Sequence, residues 1–338
     1  MIAAEMDPGR LAHRTPEPRP YRDARDLEKM RALLVAGRRA DNGSYYVHAG
    51  DLDWWLFYTL DGEDWRRGIY LWEERERLIA WSLFTARWGT FDVFVHPDER
   101  GSPRAAAIYA WAIGTAGERL SAQGGVELST MWVREDDAAL TGFLESQGFR
   151  RDEGYLGYRE RSLEGSPLAE INLPPGFHLR PVAGEHEAEL RAAASYAAFE
   201  ASMPIERYVE RYRRFMRSPV YDPARDLMIL APDGRCAAFC LFWLDPDNRT
   251  GLFEPVGVHP RFRRMGLGKA VVAAGLKRMQ AAGMARATVC AEHENRAARR
   301  LYQSLGFDLA ARLRTYRKPV PALCPDRPPP AAIWAEVT

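Results

Sequence analysis

No apolar run in the 338 residues approaches the ~20 that a membrane-spanning helix needs. Cysteine is scarce: Cys236, Cys240, Cys290 and Cys324 form neither a C-x-x-C metal knuckle nor a disulfide framework. Three of them sit in apolar stretches, where a cysteine acts as a small core hydrophobe. An excess of one charge is also missing. The 47 Lys+Arg against 46 Asp+Glu leave a net charge of +1, which gives no global pull toward nucleic acid or anionic lipid. The first twenty residues alternate charges with prolines and do not read as a secretory signal. The expectation is a cytoplasmic protein without a metal, with no nucleic-acid partner and no membrane contact. What is present is an ordinary globular balance, 46% apolar and 28% charged. The length suits two domains of roughly 150 residues.

The chain repeats itself. Arg19-Pro20 recurs as Arg180-Pro181, Val95-His96-Pro97 as Val258-His259-Pro260, and Gln147-Gly148-Phe149 in kind as Leu305-Gly306-Phe307. Three landmarks in one order at nearly constant spacing point to two copies of one fold. The boundaries predicted are a loose arm over 1–18, a first domain over 19–162, a linker over 163–176, a second domain over 177–318 and a proline-rich tail over 319–338. Six prolines fall between Pro319 and Pro330, which disfavours regular structure, and Trp334 in the tail reads as a tether docking the tail on a domain, its alternative being a solvent-exposed side chain.

Apolar patterning in the second half predicts a hairpin (Leu227 to Leu230, Cys236 to Leu244) and a strand over Leu252 to Val258. A helix follows, with Leu267, Ala270, Val271 and Ala274 on one face. A strand at Ala287 to Cys290, a second helix carrying Ala297, Ala298, Leu301, Tyr302 and Leu305, and a closing strand from Phe307 complete it. The first half reads similarly, with strands near Ile69 to Trp72, Leu78 to Phe84 and Phe91 to Val95.

The most informative stretch runs from Val258 to Lys269. A strand ends and a glycine turn leads straight into a helix, placing free N–H groups and a positive dipole end where an anion can sit. Gly266 and Gly268 let the backbone come close to a phosphate. Arg263, Arg264 and Lys269 add charge, so a diphosphate fits. A Walker loop is excluded because Ala270 follows Lys269 and the first glycine is missing; a Rossmann fingerprint is excluded because Val271 stands at its third glycine.

The segment resembles the R/Q-x-x-G-x-G loop of the GNAT superfamily of acyl-coenzyme A-dependent acyltransferases, through Arg263, Gly266 and Gly268. A second stretch resembles the family's N-x-x-A-x-x-x-Y-x-x-x-G-F, through Asn295, Ala298, Tyr302, Gly306 and Phe307. The resemblance covers roughly Phe177 to Lys318, and more faintly Arg19 to Arg159. It implies an α/β fold of two tandem domains, each a mostly antiparallel sheet with a central parallel strand pair and helices on both faces. The first copy departs from the pattern. Asp98 and Glu99 follow Val95-His96-Pro97 with no G-x-G, and Leu144 and Glu145 stand where the motif would place the tyrosine. The donor site and the active site are therefore expected in the second copy alone.

By the resemblance, the acyl-pantetheine arm pairs with Val256, Gly257 and Val258. The loop Arg263, Arg264, Met265, Gly266, Leu267, Gly268 and Lys269, with Asn295, holds the cofactor, and Tyr302 protonates the departing sulfur. Glu254 is the candidate base, directly or through a water; its alternative is a strand-edge carboxylate. His96 and His259 read as structural turns, His293 as a solvated loop residue, and Arg207, Arg211, Arg213, Arg214 and Arg217 as a solvated helix face. The resulting expectation is an N-acetyltransferase moving acetyl from acetyl-CoA, as co-substrate, to a primary amine of a small molecule, in a monomer or homodimer. The competing reading is an acyl-CoA sensor without turnover.

Overall fold

A computed structural model describes residues 15–321, apart from 42, 44, 45 and 166. The arm up to residue 14, Cys324, the tail beyond residue 321 and Trp334 lie outside the described residues. In chain order the first half gives β1 (Arg19–Pro20), α1 (Ala24–Ala40) and α2 (Ala49–Trp54), which runs on into a π-helical turn over Trp55–Thr59. It continues with β2 (Ile69–Glu74), β3 (Arg77–Thr85), β4 (Thr90–Val95), α3 (Pro103–Ala122), β5 (Glu127–Arg134), α4 (Ala138–Ser146), β6 (Arg150–Arg151) and β7 (Leu156–Ser162). The second half gives β8 (His178–Pro181), α5 (Ala188–Ala198), α6 (Ile205–Met216), β9 (Asp226–Leu230), β10 (Cys236–Asp245), β11 (Thr250–Val258), α7 (Leu267–Ala281), β12 (Arg286–Glu292), α8 (Arg296–Ser304) and β13 (Asp308–Pro319).

These elements form two compact units whose limits do not follow the two sequence halves. One holds residues 15–40, 64–153 and 314–321; the other holds 41–63 and 154–313. In the first unit β1, β2, β3 and β4 pair antiparallel in order, and β4 runs parallel to β5. Helix α3 starts where Pro103 takes the first helical position and the Ser102 hydroxyl accepts from Ala105 N. It buries Ala105, Ile108, Ala112, Ala116 and Leu120 at helical spacing.

In the second unit the sheet order is β13 (its first half), β7, β12, β11, β10, β9, β8, all antiparallel except β11 with β12. Strand β10 is apolar almost throughout because both its faces are covered. Helix α7 packs closely against the sheet because Gly275 has no side chain: a Cβ there would stand 2.4 Å from the Phe253 ring. The linker residues Leu168, Ala169, Ile171 and Leu173 pack against this core, with Leu163 inside it.

The duplication is visible in side-chain detail. Arg19 pairs with Asp26, whose carboxylate accepts from Arg22 N; Arg180 pairs with Glu187, whose carboxylate accepts from Ala183 N. Each arginine lies seven residues before its acid, so the same strand-to-helix clamp is built twice. His96 and His259 are likewise equivalent. Each ring nitrogen Nδ1 accepts from the backbone N–H two residues on, which makes both structural turns.

Candidate functional site

Strand β11 carries the first half of the site. Its parallel pairing with β12 runs from Thr250 opposite Arg286 to Phe253 opposite Val289 and goes no further. Beyond that point β12 stays on β7, with Cys290 opposite Tyr158, while β11 stays on β10, with Val256 opposite Cys240. The two strands therefore splay from Glu254 onward. A bulge marks the fork: Phe253 faces Phe242 and Val256 faces Cys240, so Glu254 and Pro255 together oppose Leu241. His259 N donates to Ala237 O at 2.9 Å. Since backbone groups alternate sides along a strand, the Gly257 amide also faces β10, while the amides of Val256 and Val258 face the fork. Gly257 is required by its neighbour: a Cβ there would stand 2.3 Å from the Phe239 ring.

The loop after Val258 makes a single 3₁₀ turn over Pro260–Phe262, then passes through left-handed conformations at Arg264 (φ 68°) and Gly266 (φ 79°). Gly266 caps α7 without any side-chain bond, and the first bond into the helix runs from Ala270 N to Gly266 O. The amides of Leu267, Gly268 and Lys269 therefore point out of the helix mouth. Arg263, Arg264, Met265, Gly266 and Lys269 are exposed around it. The two glycines differ in what they face. Gly266 looks into open space, but a Cβ on Gly268 would stand 3.2 Å from Val258 and 3.4 Å from Leu301. Gly268 thus serves close packing of α7 on α8 and β11. Arg263 reaches back to Ala198 O at 3.4 Å and stands 3.8 Å from Glu200.

Asn295 caps α8, its Oδ1 accepting from Ala298 N at 3.0 Å. Seven residues on, two turns along the same face, Tyr302 is 5% exposed and its ring meets Phe307 edge-on at 5.7 Å. Among the described residues no group bonds its hydroxyl. Burial, and next the negative charge of Glu254, push its pKa up, so it stays protonated at neutral pH. The Glu254 carboxyl is raised well above the usual carboxylate range, first by burial and then by the charge of Asp51. Asp51 is a residue the motifs did not disclose. It lies on α2, 8% exposed, where its carboxylate accepts from His48 N at 2.8 Å while the His48 ring accepts from Gly50 N at 2.9 Å, a reciprocal cap. The turn is docked on the sheet by His48 Nε2, 3.2 Å from Thr250 O, and by Gly50, which leaves no room for a Cβ over Trp243. Trp243 Nε1 in turn donates to Glu254 O at 2.9 Å. Residues of the second copy alone therefore do not complete this region, because a segment of the first half is folded into the same unit.

The other expectations fare unevenly. Arg211 is not solvated: it is 4% exposed, with its guanidinium over Tyr58 at 4.4 Å and Tyr208 at 4.6 Å. Arg214 pairs with Asp61 and Arg217 with Glu185. His293 is half-buried and stacks on Tyr155 at 4.8 Å, with Glu294 2.7 Å away. In the first unit the positions equivalent to the loop and tyrosine are closed. Ser102 caps α3, Arg104 is held by Glu99 at 3.2 Å, and Leu144, seven residues after the Asp137 cap, is fully buried.

Residues 191–307 match the family model described as the acetyltransferase (GNAT) family. A mycothiol acetyltransferase of Kineococcus radiotolerans is 29% identical over 221 residues, 65% of this chain and 69% of that protein. One from Thermomonospora curvata is 30% identical over 193 residues, 56% of this chain and 64% of that protein, so the match spans under two thirds of its length. Among solved structures, a GCN5-related N-acetyltransferase from Sphaerobacter thermophilus superposes with TM-score 0.63 at 19% identity, covering 93% of this chain and 96% of that one. A tandem GNAT protein from the clavulanic acid biosynthesis pathway gives 0.65 at 14% identity, covering 90% and 98%. At such identities the structural likeness speaks for the fold, and the family match supplies the activity. The chain is an acyltransferase that carries a GNAT acetyltransferase domain over residues 191–307.

Proposed function

We propose that the second unit transfers acetyl from acetyl-CoA to a primary amine of a small molecule by direct attack in a ternary complex. The observation that carries this is the pairing of a splayed strand with an uncapped helix mouth at the end of the same strand. The diphosphate would be held by the amides of Gly266, Leu267, Gly268 and Lys269, with Arg263 and Arg264 beside them. The pantetheine arm would lie in the fork against Val256 and Val258, whose amides are directed there. One of these amides would polarise the thioester carbonyl as charge builds on its oxygen. Glu254, its carboxyl raised by burial and Asp51, would take the amine proton, and Tyr302 would give a proton to the thiolate. The curated relatives named for mycothiol point toward a small metabolite as acceptor. An unbonded tyrosine hydroxyl within reach of the Glu254 charge favours turnover over a sensing role, since sensing requires no acid.

Calorimetric titration with acetyl-CoA should give one site per chain, because α3 presents a serine cap and a proline where α7 presents free amides. Two sites would overturn the assignment of the first unit. Thiol release measured across a panel of small primary amines, mycothiol-related compounds included, should identify the acceptor; donor binding with no release on any amine would favour the sensor.

Gly266→Asp should weaken acetyl-CoA by at least about a hundredfold, since a carboxylate ~4 Å from a diphosphate costs several kcal/mol at a partly wet site. Gly266→Asn adopts the same left-handed backbone without the charge and should bind far better than the aspartate. Equal affinity of the two variants would place the diphosphate elsewhere.

A further inference from the structure

The geometry assigns to Arg191, a residue remote from the fork, the task of holding the thioester strand in place, and we propose it as a positioning residue acting through Phe239 on Gly257. The proposal rests on the donor reading above. Arg191 projects from α5 into the core and is 0% exposed. Its Nε donates to Asp226 Oδ1 at 2.8 Å, and Asp226 accepts also from the hydroxyls of Tyr212 and Tyr221. Nη1 and Nη2 find no hydrogen-bond partner among the described residues. Asp226 balances the charge, but a fully buried guanidinium with two donor nitrogens unused is unfavourable unless other contacts offset them. An aromatic face supplies one: the guanidinium carbon lies 3.8 Å from the Phe239 ring centroid, well inside cation–π range.

Phe239 is confined on its other sides as well. Phe199, just past α5, meets the ring edge-on at 5.8 Å. The tip of the ring fills the space where a Cβ of Gly257 would be, and Phe239 and Gly257 are register partners across β10 and β11. Asp226 fixes Arg191, Arg191 and Phe199 fix the ring, and the ring sets how close Gly257 can come to β10. Gly257 lies between Val256 and Val258, the two residues whose amides face the fork. The bulge at Glu254–Pro255 leaves the strand without a β12 partner here, so its position depends on the β10 ladder along its other edge and on the ring packed against Gly257. Helix α5 also meets the phosphate loop, through Ala198 O and Arg263. One helix therefore registers both the thioester strand and the loop that grips the diphosphate. An oxyanion donor must stand ~2.7–3.1 Å from its oxygen, so a displacement of a few tenths of an ångström in this strand would be felt in the transition state.

The test uses two variants of the full chain. Arg191→Met/Asp226→Asn removes both charges, so neither is left buried alone, and Phe239→Leu removes the ring while keeping the core apolar. Acetyl-CoA affinity is measured by calorimetry, the carbonyl stretch of bound carbonyl-¹³C acetyl-CoA by difference infrared spectroscopy, and thiol release per folded molecule alongside Tm. Both variants should bind acetyl-CoA within about threefold of the unaltered protein, since neither substitutes the loop amides or the Ala198–Arg263 contact through which α5 meets the loop. Turnover should fall about ten- to a hundredfold, and the carbonyl band should move back toward its position in free solution. A role confined to stability would lower Tm and leave the band where it was. Donor binding with the band unmoved in both variants overturns the proposal alone. Failure of the unaltered protein to bind acetyl-CoA overturns the donor reading, and this proposal with it.

Discussion

Tyr302→Phe should lower turnover by about a hundred- to a thousandfold while leaving acetyl-CoA affinity and Tm nearly unchanged, in line with the loss of a positioned general acid. The three expectations have separate causes. The hydroxyl is the only atom removed, and no group among the described residues bonds it, so no partner is orphaned and the packing of the ring on Phe307 persists. The diphosphate amides belong to α7 and its loop, a different helix, so ground-state binding is spared. What is lost is a proton that burial and the neighbouring Glu254 charge keep on the phenol. A thiolate expelled without a proton is a poorer leaving group, and the loss appears in kcat. Steady-state kinetics with thiol detection would decide it: unchanged turnover would mean that water or another group protonates the sulfur.

The parts of this site that could be read in the sequence are those made by local backbone. A strand that ends in a glycine turn and opens a helix is specified within a dozen residues, so the Val258 to Lys269 loop was legible, as were the Asn295 cap and the position of Tyr302 two turns beyond it. What could not be read depends on which segment meets which. The repeat shows that two copies of a strand pattern exist, yet β7, the last strand of the first copy, forms its ladder between β12 and β13. Duplicated strands offer similar side chains to similar neighbours, so composition does not choose between them. Asp51 was hidden for the same reason. Its His48-x-x-Asp51 cap was there to be found as a helix start, but nothing local says that this turn docks on Thr250 and Trp243. Arg211 was misjudged because an arginine on an amphipathic helix is ordinarily solvated, and here two tyrosine faces cover it. Gly257 did carry a usable signal: a glycine inside a strand marks a close approach, and the approaching group is the Phe239 ring.

Glu254→Gln should cut turnover by about a hundredfold or more if the carboxylate takes the amine proton, and the pH dependence gives a second, independent reading. Glu254 is raised well above its ordinary 4.5 by burial first and by the Asp51 charge second. The acid limb of the kcat/KM profile should therefore rise only as the pH climbs through that raised value, well above where an exposed glutamate would titrate. Asp51→Asn removes the second cause while its side-chain carbonyl can still accept from His48 N, so the cap survives. The limb should then move to lower pH, by roughly one unit for the loss of a nearby like charge. Stability follows with a definite sign. Between 4.5 and the raised value the folded state holds a proton that the unfolded state has released, so stability falls as pH rises across that window. Glutamine has no proton to lose, so Glu254→Gln should be the more stable protein at neutral pH and the two should converge below pH ~4. A limb that stays put in Asp51→Asn would remove Asp51 from the tuning of Glu254, and equal stability of Glu254→Gln and the unaltered protein at every pH would mean that the carboxyl is not desolvated in the fold. Greater stability together with lost turnover in one variant is the combination expected of a carboxylate kept in the fork for its proton chemistry, where its burial opposes the stability of the strand that carries it.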